Sequence, residues 1–156
     1  QTRSACKTMK VLNDTNIVLD VLLRRADFFE ASYEVLKLST LDQIELFVSA
    51  NALTDIYYIL HRADKDGDKS KEAIVKLLNL VSIADATGSD VMSALSSKVK
   101  DFEDALVGAI AKRIKADYII TRNTKDFKNS PVPALNPKAF LRTFPQTSPP
   151  LPTDQD

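Results

Sequence analysis

The stretch MKVLNDTNIVLDVLL, from Met9 to Leu23, decides how the chain is to be read. A short apolar run ends in the polar cluster Asn13-Asp14-Thr15-Asn16, and a second apolar run of different period follows. Residues 10–14 have the length and composition of a short buried strand, whereas Ile17, Val21 and Leu22 recur at helical spacing, with Leu19 and Leu23 close by. A strand passing into a helix through a polar junction is the repeating unit of an α/β protein. An aspartate there has two explanations. It can cap the helix, or it can stand in a site, because open α/β sheets bind ligands outside the carboxyl ends of their strands.

The alternation continues along the chain. IELFVSA (44–50) reads as a strand, and NALTDIYYILHRA (51–63) as a helix with Leu53, Ile56, Tyr57 and Leu60 on its apolar side. DGD at 66–68 interrupts the pattern before SKEAIVKLLNLV (70–81), for which Ser70 is the expected cap. SIADA (82–86) is a strand leading to Asp85, and GSDVMSALSSK (88–98) a short helix with Ser89 as its expected cap. DFEDALVGAIAKRIKA (101–116) has the strongest helical pattern, DYIITRN (117–123) is a strand ending in polar residues, and PVPALNPKAFL (131–141) closes with a brief strand and a helical turn. This order predicts a three-layer α/β/α sandwich with a mostly parallel central sheet of four to five strands, in one domain over residues 9–142.

Bulk properties narrow the function. The chain has 156 residues, the size of one domain, with 21 basic and 21 acidic residues. A net charge of zero argues against gripping a polyanion through overall charge, and leaves a local basic patch or a metal-mediated contact to phosphate. Cys6 is the single cysteine, so no disulfide forms within one chain, and a reducing, cytoplasmic setting is expected. No apolar run reaches the ~18 residues of a membrane helix, so no membrane partner is expected. QTRSACKT lacks the apolar core of a secretory signal. Residues 1–8 are expected to be an extension ahead of a natural start near Met9, and the Pro-rich polar segment 143–156 a disordered tail.

Four acids fall where this architecture places a site. Asp14 ends the first strand, Asp55 lies on the helix after the second, Asp104 leads the apolar face ALVGAIA, and Asp126 lies just beyond YIITRN. Each has an ordinary explanation as well. Asp14 can be a cap, Asp55 a solvated helix acid, and Asp126 a turn residue. Asp101, Glu103 and Asp104 can complement a helix dipole. Together, however, acids converging on one sheet edge repel each other and raise each other's pKa values unless a cation neutralises them. A hard divalent ion, Mg2+ or Mn2+, suits such donors. It would bind phosphate oxygens and activate a water for attack on phosphorus. Arg24, Arg25, Arg62, Lys112, Arg113 and Arg122 are candidate phosphate contacts, set against their plainer role as solvated faces.

Other chemistries lack residues. His61 is the only histidine and Cys6 lies in the leading segment, so Ser/His/Asp or Cys/His catalysis and zinc sites have no ligands to draw on. Three glycines do not make a phosphate-binding loop. A phospho-acceptor receiver domain would use Lys125, but the early pair of acids it needs is missing.

VLNDTNIVLDVLL, SANALTDIYYIL, DFEDALVGAIAKRIKADYIITRN and KDF, in this order and spacing, resemble the PIN-domain family of metal-dependent ribonucleases, which includes the VapC toxins of toxin–antitoxin pairs. The resemblance implies that Asp14, Asp55 and Asp104 are catalytic metal-binding acids, with Asp126 a further ligand. It implies that Thr15, Asn16, Thr121 and Asn123 support them. It also implies an RNA substrate, a cognate antitoxin and a homodimer, to which the helical faces IVLDVLL and IYYILH would contribute. Two positions depart from the family pattern. Asp55 stands where Glu is frequent, one methylene shorter, and Asn123 stands where some members carry an acid. These departures keep a second reading open, a catalytically weak RNA- or protein-binding module. Asn13 has no role in the site. Strand alternation points it away from Asp14, where it needs a hydrogen-bond partner.

Overall fold

The computed structural model of the chain describes residues 8–144. Strand β1 (Met9–Asn13) runs straight into helix α1 (Thr15–Leu22), with Asp14 as the only residue between them. Helix α2 (Phe29–Lys37) leads through a short 3-10 turn to β2 (Ile44–Ser49). Helices α3 (Ala50–Asp64) and α4 (Gly67–Leu77) precede β3 (Ser82–Ala84). Helices α5 (Gly88–Leu95) and α6 (Phe102–Arg113) precede β4 (Tyr118–Ile120). A second 3-10 turn (Thr124–Phe127), β5 (Ala134–Leu135) and α7 (Pro137–Thr143) complete the order.

The five strands form one sheet in the order β3-β2-β1-β4-β5, and every neighbouring pair is parallel. All carboxyl ends therefore share one edge, and β1 lies at the centre. The ladder continues one residue past β1, where Asp14 N–H donates to the Ile120 carbonyl at 2.8 Å.

Strand alternation divides the core. Val11 and Ile120 pack beneath α1, α2, α3, α4 and α7, while Leu12 and Ile119 pack beneath α5 and α6. All four are fully buried. Helices on both faces give the expected three layers and explain why β1 is apolar at consecutive positions rather than alternating. Helix α6 buries Ala105 to Gly108, Ile110 and Ala111, because it lies between the sheet and α5. A Cβ on Gly108 would stand 3.0 Å from Ser130 Oγ and 3.4 Å from Pro131 Cδ. The missing side chain thus lets the segment after the second 3-10 turn close onto α6.

Some expectations are corrected. Helix α4 is capped by Asp66, whose Oδ1 accepts from Asp68 and Lys69 N–H at 3.0 and 3.2 Å. Ser70 is buried inside that helix and donates to the Asp66 carbonyl. Helix α5 is capped by Thr87 in a reciprocal box with Asp90, not by Ser89. Residues expected in the tail begin instead within the packed body: Thr143 ends α7, and Phe144 is buried and stacked on Phe140. Residues 1–7 and 145–156 lie outside the described residues. Of the faces expected to contribute to a homodimer, Ile17, Val18, Leu19, Ile56 and Leu60 are buried in this core, while Tyr58 is 58% exposed. Asn13 is buried, with Nδ2 donating to the Phe47 carbonyl at 3.2 Å and Oδ1 without a partner. No helix among the described residues is long and apolar enough to cross a membrane.

Candidate metal centre

Asp14 serves as cap and site residue at once. Its Oδ1 accepts from Thr15 N–H at 2.8 Å, closing the first turn of α1. Its Oδ2 turns to the sheet edge and accepts from Thr121 Oγ1 at 2.8 Å and from Asn16 Nδ2 at 3.5 Å. A carboxylate offers about four lone-pair sites, so both oxygens keep acceptor capacity after these bonds. Thr121 is fully buried at the end of β4 and also accepts from Asn123 N–H at 3.1 Å. The Thr121 hydroxyl therefore ties the ends of β1 and β4 to the 3-10 turn carrying Asp126. Asn123 takes part through its backbone and makes no side-chain cap bond.

Helix α6 brings the other acids. Asp101 is its N-cap, accepting from Asp104 N–H at 3.0 Å. Asp104 follows in the first turn, where its carboxyl is pushed up to about 6. Burial is the main cause, followed by the charges of Asp101, Asp14, Asp126 and Glu103. The Asp14 carboxyl is also raised, first by burial and then by Asp126, against the opposing effect of Thr121, Thr15 and the Arg122 charge. Glu103 is raised as well, by burial, then by the charge of Asp55 and a hydrogen bond with it, then by Asp14 and Asp101.

The structure thus brings Asp14, Asp104 and Asp126 within electrostatic reach of one another. It sets Asp55, exposed on the second turn of α3, against Glu103. Sequence pattern alone favours Asp104 in this turn, whereas the structure engages Glu103 as well. Thr15 contributes its backbone N–H and Thr121 its hydroxyl, while Asn16 makes one long contact and has a buried Oδ1 without a partner. Among the basic candidates, Arg25 and Arg122 pair with Asp20, and Arg113 with Asp90 and the Asp85 carbonyl.

Among the described residues, no three carboxylate, imidazole or thiol groups stand close enough together to hold a metal ion as the side chains are placed. The donor chemistry fits a hard divalent cation. The groups are all oxygens and they repel one another. Linkage gives a first test. The Asp104 pKa of about 6 lies above its ordinary 3.8, so the fold holds this proton more tightly than the unfolded chain does. That preference stabilises the fold below the ordinary value and is lost as pH rises through 6. In EDTA, Tm is expected to fall between pH 4 and 7, and Asp104→Asn to flatten the fall. A slope that the substitution leaves unchanged would show that other groups set it.

Comparison with known proteins agrees with this architecture. A family model described as PIN domain matches residues 10–125. Ribonuclease VapC1 of Aquifex aeolicus (strain VF5) is 25% identical over 140 residues, covering 86% of this chain and 95% of the relative. VapBC2 from Rickettsia felis, solved bound to a DNA fragment from its promoter, is similar with a TM-score of 0.65 at 19% identity, covering 82% of this chain and 98% of that one. A toxin-antitoxin complex from Klebsiella pneumoniae gives a TM-score of 0.60 at 22% identity, covering 81% and 97%.

Proposed function

The chain belongs to the PIN-domain family, and from that premise we propose that it is a divalent-metal-dependent endoribonuclease acting as the toxin of a toxin–antitoxin pair. One observation carries the reading. Asp14 just after β1, Asp104 on α6 and Asp126 in the second 3-10 turn lie within electrostatic reach of one another, and this repulsion, added to burial, helps to lift Asp104 to about 6. Such a group of acids has a use for a cation and, through it, for phosphate. The likeness to the Aquifex ribonuclease and to the Klebsiella toxin-antitoxin complex supports RNA as the substrate class and an antitoxin as the partner class.

Asp14, Asp104 and Asp126 would hold Mg2+ or Mn2+, and Asp55 would join them on giving up its hydrogen bond to Glu103. When bound, such an ion polarises a phosphoryl oxygen and lowers the pKa of water. The protein's own part is orientation and proton handling. Thr121 fixes the Oδ2 face of Asp14. Glu103 holds a proton more readily than an ordinary carboxyl, so it is suited to take a proton from the attacking water or return one to the leaving oxygen. Single-stranded or looped RNA is the substrate class, because its backbone can enter a narrow edge with the bases splayed. A separately encoded antitoxin would cover the same acidic edge.

The test is incubation with a panel of single-stranded RNAs, with Mn2+ and again with EDTA. Cleavage that needs the divalent ion is expected. Cleavage that survives EDTA overturns the mechanism. Metal binding by calorimetry with no turnover on any RNA would make the chain a binding module instead.

A further inference from the structure

Asp20 has no part in the metal centre, yet it is fully buried inside α1, the helix that Asp14 caps. Its Oδ2 stands 2.9 Å from Arg122 Nε and accepts from Ser32 Oγ at 3.2 Å, while Oδ1 stands 3.4 Å from Arg25 Nη1. Buried ion pairs seldom repay their desolvation in stability, so the positional consequence is the informative one. The Nε contact is an ion pair without a hydrogen bond, and beside it the Arg122 guanidinium lies over the Phe28 ring, 4.0 Å from its centroid. Phe28 is a large apolar residue left 40% exposed just ahead of α2. Ring and guanidinium form part of the wall of a cavity of about 250 Å³, completed by Asp27, Asn136, Pro137 and Lys138.

We propose that this cavity is a subsite for one unstacked RNA base next to the scissile phosphate; the proposal rests on the ribonuclease reading. Size and chemistry agree. The volume is below the roughly 300–1,000 Å³ of pockets for drug-sized ligands, which suits a single ring system. An aromatic ring carrying a guanidinium plane is the surface on which single-stranded RNA is read by stacking. Asp27 offers acceptors for a base edge, Asn136, whose Oδ1 accepts from Ala139 N–H as the cap of α7, offers its amide N–H, and Lys138 a charge for a phosphate. The position agrees as well. Arg122 directly follows Thr121, whose hydroxyl holds Asp14, and its charge acts on the Asp14 carboxyl. A base stacked here belongs to a nucleotide adjoining the metal centre.

The experiment needs no turnover. The isotope-labelled full chain in EDTA is titrated with the four nucleoside 5′-monophosphates and, separately, with ribose 5-phosphate, while backbone amide resonances are followed. At least one nucleotide is expected to give saturable shifts at Phe28, Arg122 and Lys138, weakened about tenfold or more in Phe28→Ala. Because Phe28 is partly exposed, that variant is expected to keep its fold, which a thermal melt checks. Absence of shifts with all four nucleotides overturns the proposal. So do equal shifts with ribose 5-phosphate, which would mark a phosphate site, and shifts that persist unchanged in Phe28→Ala. Nucleotide binding without cleavage of any RNA would keep the subsite and remove the ribonuclease reading, so the two fail separately.

Discussion

Asp14→Asn is expected to lower divalent-dependent RNA cleavage by about three orders of magnitude, roughly 4 kcal/mol of barrier, and to leave the fold at least as stable as before. The activity term follows from removing an anionic ligand at the centre of the proposed metal site, where charge stabilisation amounts to several kcal/mol. The stability term has the opposite sign for a reason visible in the geometry. The new amide keeps an acceptor for the Thr15 N–H, so the cap of α1 survives. Its NH₂ then faces the Thr121 hydroxyl, which has acceptor capacity beyond its bond from Asn123. What disappears is a carboxylate whose pKa burial has raised, a charge that the metal-free fold carries unfavourably at neutral pH. Cleavage rates with Mn2+ and thermal melts in EDTA together check the pair of effects. Cleavage within tenfold of the parent would remove Asp14 from the metal site. A large drop in Tm would show the loss to be one of folding.

The parts of this site that could be read from sequence are those carried by local pattern. Asp14 stands at a strand–helix junction, and Asp104 leads an unbroken apolar helix face. The parallel pairing of the strands follows from alternating periods, because consecutive parallel strands need helical crossovers, whereas the order β3-β2-β1-β4-β5 is shown only by the structure. Glu103 was harder to assign, since three acids share one turn and successive residues diverge by about 100° around a helix. Only packing shows that Asp101 is occupied as a cap while Glu103 meets Asp55 from α3. The caps fall on Asp66 and Thr87 and not on the nearby serines that local sequence suggests, because several polar residues precede each helix. The helix ends lack the usual glycine signal, as the chain turns left-handed at Arg24, Lys65 and Lys115 instead. The role of Asp20 is not legible in sequence for a different reason. Its partner Arg122 lies about a hundred residues away, on a neighbouring strand end that no periodicity connects to it.

That remote pair yields the second large effect. Arg122→Met is expected to cost about 3 kcal/mol, a fall in Tm of about 6–12 °C, and a further Asp20→Leu change to recover most of it. The asymmetry of burial sets the size. Asp20 is fully buried, whereas the Arg122 side chain is a quarter exposed. Removing the arginine therefore strands a carboxylate, and breaking a buried pair in this way costs about 3–5 kcal/mol. Arg25 and Ser32 still face Asp20, which places the expectation at the lower end. Replacing both partners by apolar side chains removes the stranded charge, and such replacements are frequently neutral or stabilising. Arg25, already partly exposed, can then turn to solvent. Denaturant melts of the two variants decide the matter: equal losses in single and double variant would mean that Arg122 acts through packing on Phe28 and not through Asp20. The double variant is also informative about function. If the pair exists to hold a guanidinium beside Asp14 and over Phe28, the restored fold should remain poor at RNA cleavage, because stability has been regained without the group that the ion pair positions.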